Sequence, residues 1–550
     1  MNPKLTKTSI VFLLIVYLKH DFIKPDSIEY REYQVNIAKT CLESNTLVVL
    51  PTGLGKTVIA LIVIASLLSR KCKILFLAPT KPLVNQHTAF LKQFLTLDED
   101  EIVIFTGEIS PDKRTKLWKE TRIIVSTPQV IENDLKNNRI SLEDFCLIIF
   151  DEAHRAVGEY SYVFVAKKYK EQRKKDRHIL GMTASPGSDI DRILEICENL
   201  EINNVEIRSR YDKDVRPYVH GLTIEWKLVE LPEEFNRIIM LLSEVLSEKL
   251  GMLKTAGLLE TAALSRISMR KLLEVRNIIQ DILENNVLPS KEMYKILMAH
   301  TIALKTYHAL ELIKTQGATA LRRYFKRIQS ETLMKKGNNA SKHFIRDRRV
   351  IEAMLHLKKL DVEHPKLKVL SEIVEDQLKK NKESRIIIFT QYRDTALQII
   401  DQISNIKEVK AARFVGQTTK VEDKGLSQRE QEKIIRKFKD GEYNTLVATS
   451  VAEEGLDIPS TDLVIFYEPI PSEIRSIQRK GRTARKMKGR VVILIAKKTQ
   501  DEAYYWSSVR KEKLMYNQLK TINLRLRGGK AKIDDLYPKK EQQKKLLDYM

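Results

Sequence analysis

Short apolar runs alternate with longer segments of helical periodicity between residues 45 and 200. A strand buried on both faces is a continuous apolar run, whereas an amphipathic helix carries apolar residues three or four positions apart. The runs that predict strands are residues 45–50, 74–77, 123–126, 146–150 and 179–182. This alternation predicts a parallel sheet covered by helices, which binds its ligands at the carboxyl ends of the strands.

The periodicity changes twice along the rest of the chain. Helical spacing dominates from about residue 225 to 360, and strand signals return at 386–389, 411–415, 445–448, 463–466 and 491–495. The predicted fold class is therefore α/β, with two parallel-sheet domains and a helical insertion domain between them. The predicted domains are residues 1–224, 225–360 and 361–500. A basic tail at 501–550 is predicted to be a solvated helix or a flexible end.

The first predicted strand leads into the segment Pro51-Thr52-Gly53-Leu54-Gly55-Lys56-Thr57, which an apolar helical segment follows. Loop glycines let backbone N–H groups turn toward an anion, and the helix N-terminus adds its positive dipole end. In such a loop the lysine reaches the β- and γ-phosphates and the threonine hydroxyl ligates Mg²⁺. Leu50 stands where the general pattern has its first glycine, so the match is to a variant of that pattern. We predict that ATP binds here, through Thr52, Gly53, Leu54, Gly55, Lys56 and Thr57.

Two carboxylates follow the predicted strand that ends at Phe150. Asp151 would stand at the strand tip beside the phosphate loop and hold Mg²⁺ through water, and Glu152 would polarise an attacking water. A solvated strand end explains either carboxylate as well. Thr183 and Ser185 follow the next strand, where a hydroxyl either senses the γ-phosphate or caps a helix.

A basic segment, Gln478-Arg479-Lys480-Gly481-Arg482-Thr483-Ala484-Arg485, follows a helical stretch of the second domain. Its arginines are three positions apart, so on a helix or turn they would share a face. One or two would then point across a cleft at the γ-phosphate and neutralise charge in the transition state. A plain basic patch explains the same spacing, but a phosphate loop supplied by the other domain favours the catalytic interpretation.

Charge adds a class of partner to this picture. The chain has 550 residues, more than one core accommodates, and its net charge of +23 argues for a polyanionic partner. Residues 321–350 hold 10 Lys/Arg against 2 Asp/Glu, and residues 481–550 hold 19 against 7, so these segments contain 20 of the 23 excess charges. Such concentration suits a phosphate backbone. The candidate nucleic-acid contacts in the first segment are Arg322, Arg323, Lys326 and Arg327. A solvated helix face with Tyr324 and Phe325 in the core fits nearly as well.

The cysteines and the apolar runs bear on the compartment. Cys41, Cys72, Cys146 and Cys197 are far apart in sequence without a CxxC pair, so we expect free thiols in a reducing compartment and neither a disulfide framework nor a zinc site. No run reaches the roughly 20 apolar residues of a membrane span. The run 10–18 imitates a signal peptide but lacks a small-residue cleavage site. We therefore expect a packed N-terminal element and a cytoplasmic protein that works with the genome.

The segments described above resemble, in their order, the motif set of DEAH-box helicases of superfamily 2. That set is the loop 51–57, Asp151-Glu152-Ala153-His154, Thr183-Ala184-Ser185 and the segment 478–485. Residues 78–84, 126–128 and 389–392 are similar to motifs Ia, Ib and IV. Five stretches look like the archaeal Hef helicase and its eukaryotic relatives, the Fanconi anaemia M protein and the yeast Mph1-type helicases: residues 414–417, 425–428, 448–459, 466–469 and 471–475. The resemblance covers about residues 28–500.

The resemblance implies two RecA-like domains that clamp ATP between them and grip nucleic acid across their tops, with the helical insertion engaging branched DNA. It adds to the nucleotide site Gln34, against adenine, together with Gly455 and Asp457. The catalytic set that it implies is Glu152, Gln478, Arg482 and Arg485. It assigns His154, Thr183 and Ser185 to coupling between the two sites. The implied nucleic-acid contacts are Pro79, Thr80, Lys81, Thr127, Pro128, Gln391 and Thr449.

Two departures from the family pattern limit what the resemblance implies. Ala484 replaces the usual second glycine of the arginine motif, which leaves Arg482 and Arg485 in place. Many archaeal relatives carry a nuclease with a Glu-Arg-Lys signature, and none occurs before Met550, so no cleavage activity is expected. The expected function is an ATP- and Mg²⁺-dependent DNA helicase or translocase that remodels forks and junctions in repair or replication restart. A double-stranded RNA remodeller and an ATP-gated clamp without processive unwinding stay open as alternatives.

Overall fold

The fold was analysed in a computed structural model that describes residues 16–526 without 71, 220, 286–290, 334–337, 419–422, 424, 454–457 and 484–487. These residues form two parallel sheets covered by helices, with a bundle of helices between them in sequence. The predicted fold class is confirmed.

The first sheet is built from the N-terminal strands. They are β1 (Thr46–Val49), β2 (Lys73–Leu77), β3 (Ile102–Phe105), β4 (Ile123–Ser126), β5 (Phe145–Asp151), β6 (His178–Thr183) and β7 (Asn204–Ile207). Their order is β3-β4-β2-β5-β6-β1-β7, and every pairing is parallel. The covering helices are α1 (Glu32–Glu43), α2 (Lys56–Leu68), α3 (Lys81–Phe94), α4 (Pro111–Glu120), α5 (Pro128–Lys136), α6 (Ser161–Gln172) and α7 (Ile190–Asn199). Because helices cover both faces, β1, β4 and β5 are buried along their whole length.

The register of this sheet brings the sequence motifs to one edge. Val49 is opposite Thr183, and Leu77 is opposite both Phe150 and Ser126. The phosphate loop, Asp151 and Thr183 therefore follow neighbouring strands at the same edge. The segments that begin at Ala78 and Thr127 continue that edge on its other half.

The second sheet consists mainly of strands from the C-terminal part of the chain. Its strands are β8 (Leu222–Val229), β9 (Ile386–Phe389), β10 (Ala411–Phe414), β11 (Thr445–Ala448), β12 (Leu463–Phe466) and β13 (Gly489–Ala496), in the order β10-β11-β9-β12-β13-β8. Between β8 and β9 the chain forms α8 (Phe235–Thr255), α9 (Met269–Asn285), α10 (Lys291–Thr315), α11 (Ala318–Leu333), α12 (Asn339–Arg346) and α13 (Arg348–Lys359), which share one apolar core. The remaining helices are α14 (Lys366–Lys380), α15 (Arg393–Ile403), α16 (Gln428–Lys439), α17 (Glu473–Lys480) and α18 (Gln500–Leu526).

The predicted boundary at residue 224 falls inside β8. This strand pairs along its whole length with β13, from Leu222 opposite Gly489 to Val229 opposite Ala496, and so belongs to the second sheet. Its apolar residues alternate with polar ones because it lies at the sheet edge. The sequence of β8 is therefore not a continuous apolar run, the pattern that predicts a buried strand.

The predicted basic tail begins as a packed helix. Met515, Leu519 and Ile522 of α18 are fully buried in the core of the first domain, and Asn523 Oδ1 accepts a hydrogen bond from the Val205 N–H at 3.3 Å. The spacing of these apolar residues is helical, but the surrounding charges hid it. Residues 501–526 are therefore not a solvated extension, and residues 527–550 lie outside the described part of the chain.

Cys72 and Cys146 form a disulfide with their Cα atoms 5.7 Å apart, so the expectation of four free thiols was wrong. Cys72 immediately precedes β2 and Cys146 lies in β5, and the pairing of these strands joins residues 74 positions apart in sequence. Cys41 and Cys197 are buried free thiols. Within the described ranges, no helix is long and apolar enough to cross a membrane, and no cluster of His, Cys, Asp and Glu could hold a metal ion by itself.

Candidate nucleotide cleft and nucleic-acid surface

The phosphate loop joins β1 to the buried helix α2. Gly53 and Gly55 have φ angles of 90° and 78°, a left-handed conformation that favours glycine. Gln34 Nε2 donates to the Leu54 carbonyl at 3.2 Å, and a Cβ on Gly55 would overlap that nitrogen. No described side chain caps the N-terminus of α2. The loop is thus shaped by its glycines and by an amide of α1, and its helix N-terminus suits an anion.

The charged groups of the predicted site lie beside this loop. Lys56 Nζ donates to the Leu50 carbonyl at 3.2 Å, and Thr57 occupies the first turn of α2. Asp151 is 5% exposed, and its Oδ2 is 2.8 Å from His87 Nε2. Burial acts to raise the pKa of Asp151, but the His87 hydrogen bond and the Lys56 charge outweigh it and hold that pKa below its usual value. Asp151 is therefore ionised at neutral pH, as a ligand for a hard cation must be.

Glu152 is the first residue in a series of polar contacts that runs away from the predicted nucleotide site. Its backbone is left-handed, with φ 49°, which costs a non-glycine residue about 1–3 kcal/mol. Its buried Oε2 accepts no hydrogen bond from the described residues, and His154 Nδ1 lies 3.3 Å away. The same Nδ1 is 3.1 Å from Thr183 Oγ1, which bonds to the backbone of Ser185. The three residues predicted to couple the sites are therefore contiguous with Glu152.

The arginine segment begins on α17 and continues into the turn that follows it. The helix α17 ends at Lys480, so Arg482 lies beyond it. Arg479 is fully buried: its Nε donates to Glu453 Oε1 at 2.8 Å, and its guanidinium lies 4.8 Å from the centre of the Phe389 ring. Arg482 Nη2 donates to the Glu453 carbonyl at 2.5 Å. Gln478 is 3% exposed, whereas Arg485, Gly455 and Asp457 lie outside the described residues.

The arginine segment nonetheless meets the phosphate loop. A Cβ on Gly481 would overlap the Cβ of Thr52, so the backbone that precedes Arg482 lies directly on the loop. Arg210 Nη2 also donates to the Thr52 carbonyl, at 3.1 Å. The two domains are thus in contact at the predicted phosphate loop.

The residues predicted to contact nucleic acid form two rows at the carboxyl edges of the sheets. Pro79, Thr80 and Lys81 follow β2, and Thr127 and Pro128 follow its neighbour β4. Lys81 Nζ pairs with Glu108 Oε1 at 2.5 Å, and Pro128 is buried at the start of α5. In the second domain Gln391 and Thr449 follow the paired strands β9 and β11.

A cavity of about 780 Å³ lies between the helical bundle and the second sheet. Gln391 and Thr449 line it from the sheet side, and Tyr324 and Arg327 of α11 line it from the bundle. The bundle therefore extends the row of predicted nucleic-acid contacts across the top of the second domain.

Comparisons with known proteins agree with this arrangement. Residues 31–193 match the family described as "DEAD/DEAH box helicase", residues 365–487 match "Helicase conserved C-terminal domain", and residues 234–364 match "Putative ATP-dependent RNA helicase, helical bundle". The crystal structure of the Pyrococcus furiosus Hef helicase domain is 48% identical, with a TM-score of 0.67, and the match covers 87% of this chain and 98% of that one. The chain belongs to the Hef-like helicases of superfamily 2. The predicted family and enzyme class, an ATP-dependent helicase, are confirmed.

Three curated relatives of this Hef-like helicase are longer than the chain. "Putative ATP-dependent RNA helicase MJ1505" of Methanocaldococcus jannaschii is 46% identical over 92% of the chain and 63% of its own length. "ATP-dependent DNA helicase mph1" of Aspergillus fumigatus is 34% identical over 88% of the chain and 46% of its own length. "Fanconi anemia group M protein homolog" of Mus musculus is 31% identical over 90% of the chain and 26% of its own length. The chain thus spans less than two thirds of these relatives.

The basic side chains of α11 in the Hef-like helicase lie in two different environments. Arg322 Nε donates to the Leu357 carbonyl at 3.1 Å, and its Nη1 is 3.3 Å from Glu363 Oε1. Arg323 Nη1 donates to the Asp394 carbonyl at 3.1 Å, which joins the bundle to the second domain. Lys326 and Arg327 are exposed, and Arg327 lies over the Tyr324 ring at 5.4 Å. Arg322 and Arg323 are thus half-buried and bonded to protein groups, whereas Tyr324 and Phe325 are buried in the core of the bundle.

Three residues of the Hef-like helicase escaped the sequence analysis. His87 holds Asp151, Arg210 holds Thr52, and Glu453 accepts hydrogen bonds from Arg475 as well as Arg479. None belongs to a spacing pattern, because each meets its partner only when distant strands and helices pack. Of the three, Glu453 alone lies within a segment, 448–459, that resembles the family.

Replacing Gly481 with alanine should separate the domains of the Hef-like helicase at the phosphate loop. The added Cβ meets backbone-proximal atoms of Thr52, which cannot move aside as a long side chain would. Displacement of reacting groups by about 1 Å costs up to about 10² in rate, so we expect a loss of that order in the ATPase kcat. Gly251→Ala is the matched control, since a Cβ there meets no atom within 4 Å. Equal ATPase rates in both variants would contradict the assignment of this contact.

Proposed function

We propose that this Hef-like helicase is an ATP-driven DNA translocase that remodels forks and junctions. The observation that carries the proposal is the contact of Gly481 with Thr52, because it places the arginine segment of one domain on the phosphate loop of the other. Hydrolysis that requires both domains can be converted into their relative motion, as a motor requires. The predicted nucleic-acid contacts at the carboxyl edges of both sheets would then move with the domains. Such a protein would work where ATP and the genome are.

The site residues divide the chemistry of hydrolysis among them. Lys56 and the loop N–H groups would bind the phosphates of ATP, and Thr57 and Asp151 would hold Mg²⁺. Asp151 suits a metal ligand because it is a buried carboxylate that is kept ionised beside Lys56. The metal would neutralise charge on the β- and γ-phosphates. Glu152 Oε2, buried without a hydrogen-bond partner among the described residues, would orient and deprotonate the attacking water.

Arg482 and Arg485 would stabilise the charge of the transition state from the second domain. Gln478 and Gln34 would support the arginine segment and the loop on their respective sides. Asp457 and Gly455 would complete the nucleotide site. The series of contacts Glu152–His154–Thr183–Ser185 would transmit the state of the nucleotide to α18, because Ser185 Oγ contacts Met515 Sδ of that helix at 2.9 Å.

Branched DNA is the favoured substrate for two reasons. In the helical bundle Arg327 lines a cavity together with Gln391 and Thr449, and Lys326 next to it in sequence is exposed, so a second arm of nucleic acid would have a basic surface to follow. A relative named as a DNA helicase supports DNA as the nucleic acid. RNA is the second candidate, because the helical-bundle family and the relative from Methanocaldococcus jannaschii are named for RNA.

Strand separation distinguishes a motor from an ATP-gated clamp. We expect the protein with ATP and Mg²⁺ to release a labelled strand from a forked DNA substrate, and Lys56→Ala to bind the fork but release nothing. A clamp would bind the fork more tightly with ATP and leave the strands paired. That outcome, with rapid ATP hydrolysis, would contradict the motor.

Lys326 and Arg327 should contribute to DNA affinity and to its salt dependence. Each phosphate neutralised on duplex DNA contributes about 0.9 to the slope of log affinity against log salt, so Lys326→Ala/Arg327→Ala should flatten the slope by up to about 2. The control is Arg322→Ala, because Arg322 is held by Leu357 and Glu363 and should leave the slope unchanged. If the double variant keeps the wild-type slope on a four-way junction, these residues merely solvate the helix.

A further inference from the structure

The strand β8 lies at the open edge of the second sheet. The strand order ends there, and no described strand pairs with its other side. At eight residues it is longer than the average strand of about 5–6. Natural proteins usually shorten, charge or cover such an edge, because its free backbone groups pair readily with another strand.

Hydrogen bonds to β13 fix which residues of β8 face outward. The Gly489 N–H donates to the Gly221 carbonyl, and the Lys497 N–H donates to the Val229 carbonyl. Odd-numbered residues therefore face β13, because alternate residues of a strand direct their N–H and C=O groups to the same side. The backbone groups of Leu222, Ile224, Trp226 and Leu228 point to the open edge.

These outward residues also carry exposed apolar side chains. Trp226 is 54% exposed and Leu228 is 57% exposed. The Trp226 ring meets Tyr505 of α18 at 6.0 Å, and the adjacent Trp506 is 47% exposed. Two of the three tryptophans of the chain are thus exposed at one sheet edge. Tryptophan is enriched in protein interfaces and depleted on free surfaces, which indicates an interaction surface.

We propose that β8 pairs antiparallel with β8 of a second copy of this chain, about a two-fold axis at Trp226, to form one continuous sheet across two molecules. A two-fold axis brings the same edge of both copies into contact, so the interface must be self-complementary. Hydrogen bonding restricts the register to pairs of outward residues. An axis at Trp226 pairs Trp226 with its copy and Ile224 with Leu228, and it uses the full length of the strand.

Charge selects this register over its neighbours. With the axis at Trp226, Glu225 lies opposite Lys227 of the other copy, twice. An axis at position 225 would oppose two glutamates, and an axis at 227 would oppose two lysines, both of which are unfavourable. Glu225 also accepts two hydrogen bonds from Arg490, at 2.7 and 2.8 Å, which holds its carboxylate in place on the strand. The charge pattern of this strand is thus complementary to itself at one register, which favours a second copy over an unrelated partner.

This edge is remote from the predicted nucleic-acid contacts of the second domain. The edge strand is separated from β9 and β11, which carry Gln391 and Thr449, by β13 and β12. A monomeric variant should therefore keep the ATPase rate per chain. The interface is small, one strand and its flanking aromatic rings, so association should depend on protein concentration.

Sedimentation equilibrium of the full chain tests the proposal. We expect the average mass to rise toward twice the chain mass over two decades of concentration. Leu228→Asp and Lys227→Glu should each remove that rise, because the first places a carboxylate in the apolar pair of Leu228 with Ile224 and the second places like charges opposite each other. Lys368→Glu, the same charge change at an exposed position of α14, should leave it unchanged. A wild type that stays monomeric, or a dimer that both β8 variants preserve, overturns the proposal.

A single cysteine tests the register itself. In a hydrogen-bonded antiparallel pair the Cα atoms are about 5.5 Å apart, within the range of a disulfide. Trp226→Cys should therefore form a cross-linked dimer under mild oxidation, whereas Lys368→Cys should not. A dimer in sedimentation whose Trp226→Cys variant does not cross-link would overturn the two-fold axis at Trp226. Because the readouts are mass and cross-linking, they do not depend on the proposed helicase activity.

Discussion

Replacing Arg482 with alanine should lower the ATPase kcat by about 10³-fold or more while DNA binding at low salt changes little. An arginine that approaches the γ-phosphate from a second domain is worth about 10³–10⁵ in rate. Arg482 follows Gly481, whose backbone lies on the phosphate loop, and its guanidinium is 5% exposed in the structure. A side chain buried at the domain contact cannot serve as a general basic patch for DNA.

Single-turnover hydrolysis and fluorescence anisotropy with a labelled fork separate the two roles of Arg482. Lys480→Ala is the matched control, because Lys480 belongs to the same segment but pairs with Glu512 of α18 at 3.0 Å. Arg482→Lys should recover only a small part of the rate, since an ammonium lacks the planar fork of a guanidinium. Parallel losses of hydrolysis and of fork binding in Arg482→Ala would favour the basic-patch interpretation.

Replacing Glu152 with glutamine should lower turnover by about 10²–10⁴-fold while the affinity for ATP is retained. General-base catalysis contributes rate factors of this size, and the amide cannot accept the proton of the attacking water. Glu152 Oε2 is buried and accepts no hydrogen bond from the described residues, with His154 Nδ1 3.3 Å away, so it can accept one from a water. Because the substitution preserves size and shape, it should not disturb the loop.

Equilibrium binding of a fluorescent ATP analogue, measured beside steady-state hydrolysis, checks this prediction for Glu152→Gln. Lys56→Ala is the contrasting variant and should lose nucleotide affinity as well as turnover, because Lys56 would bind phosphate directly. Near-wild-type turnover in Glu152→Gln, or an equal loss of affinity in both variants, would refute the assigned role.

The sequence predicted the fold where strands are buried on both faces. The runs that became β1, β5 and β9 are continuous and apolar, because helices cover both sides of each sheet. β8 was overlooked, since an edge strand has one half-exposed side and alternates like a surface segment. α18 was read as solvated, because three buried apolar residues are outnumbered by the charges around them.

The candidate site was predictable to the extent that it consists of contiguous motifs. The phosphate loop, Asp151 and Glu152 lie at the strand ends where their order in the chain placed them. The supporting contacts were not predictable, because His87 reaches Asp151 across 64 residues and Arg210 reaches Thr52 across 158. Arg479 and Arg482 both donate to Glu453, although Gly481 ends α17 between them, and no spacing pattern points to that acceptor.

The ATPase rate measured against a panel of nucleic acids tests whether the protein is directed to branched DNA. The panel contains single-stranded DNA, duplex DNA, a forked DNA, a four-way junction and duplex RNA, each titrated to saturation at one fixed salt concentration. We expect the fork and the junction to give the highest ratio of kcat to activation constant, and duplex RNA to stimulate hydrolysis least. Stimulation that is strongest with duplex RNA, or equal with all five nucleic acids, would contradict a translocase directed to branched DNA.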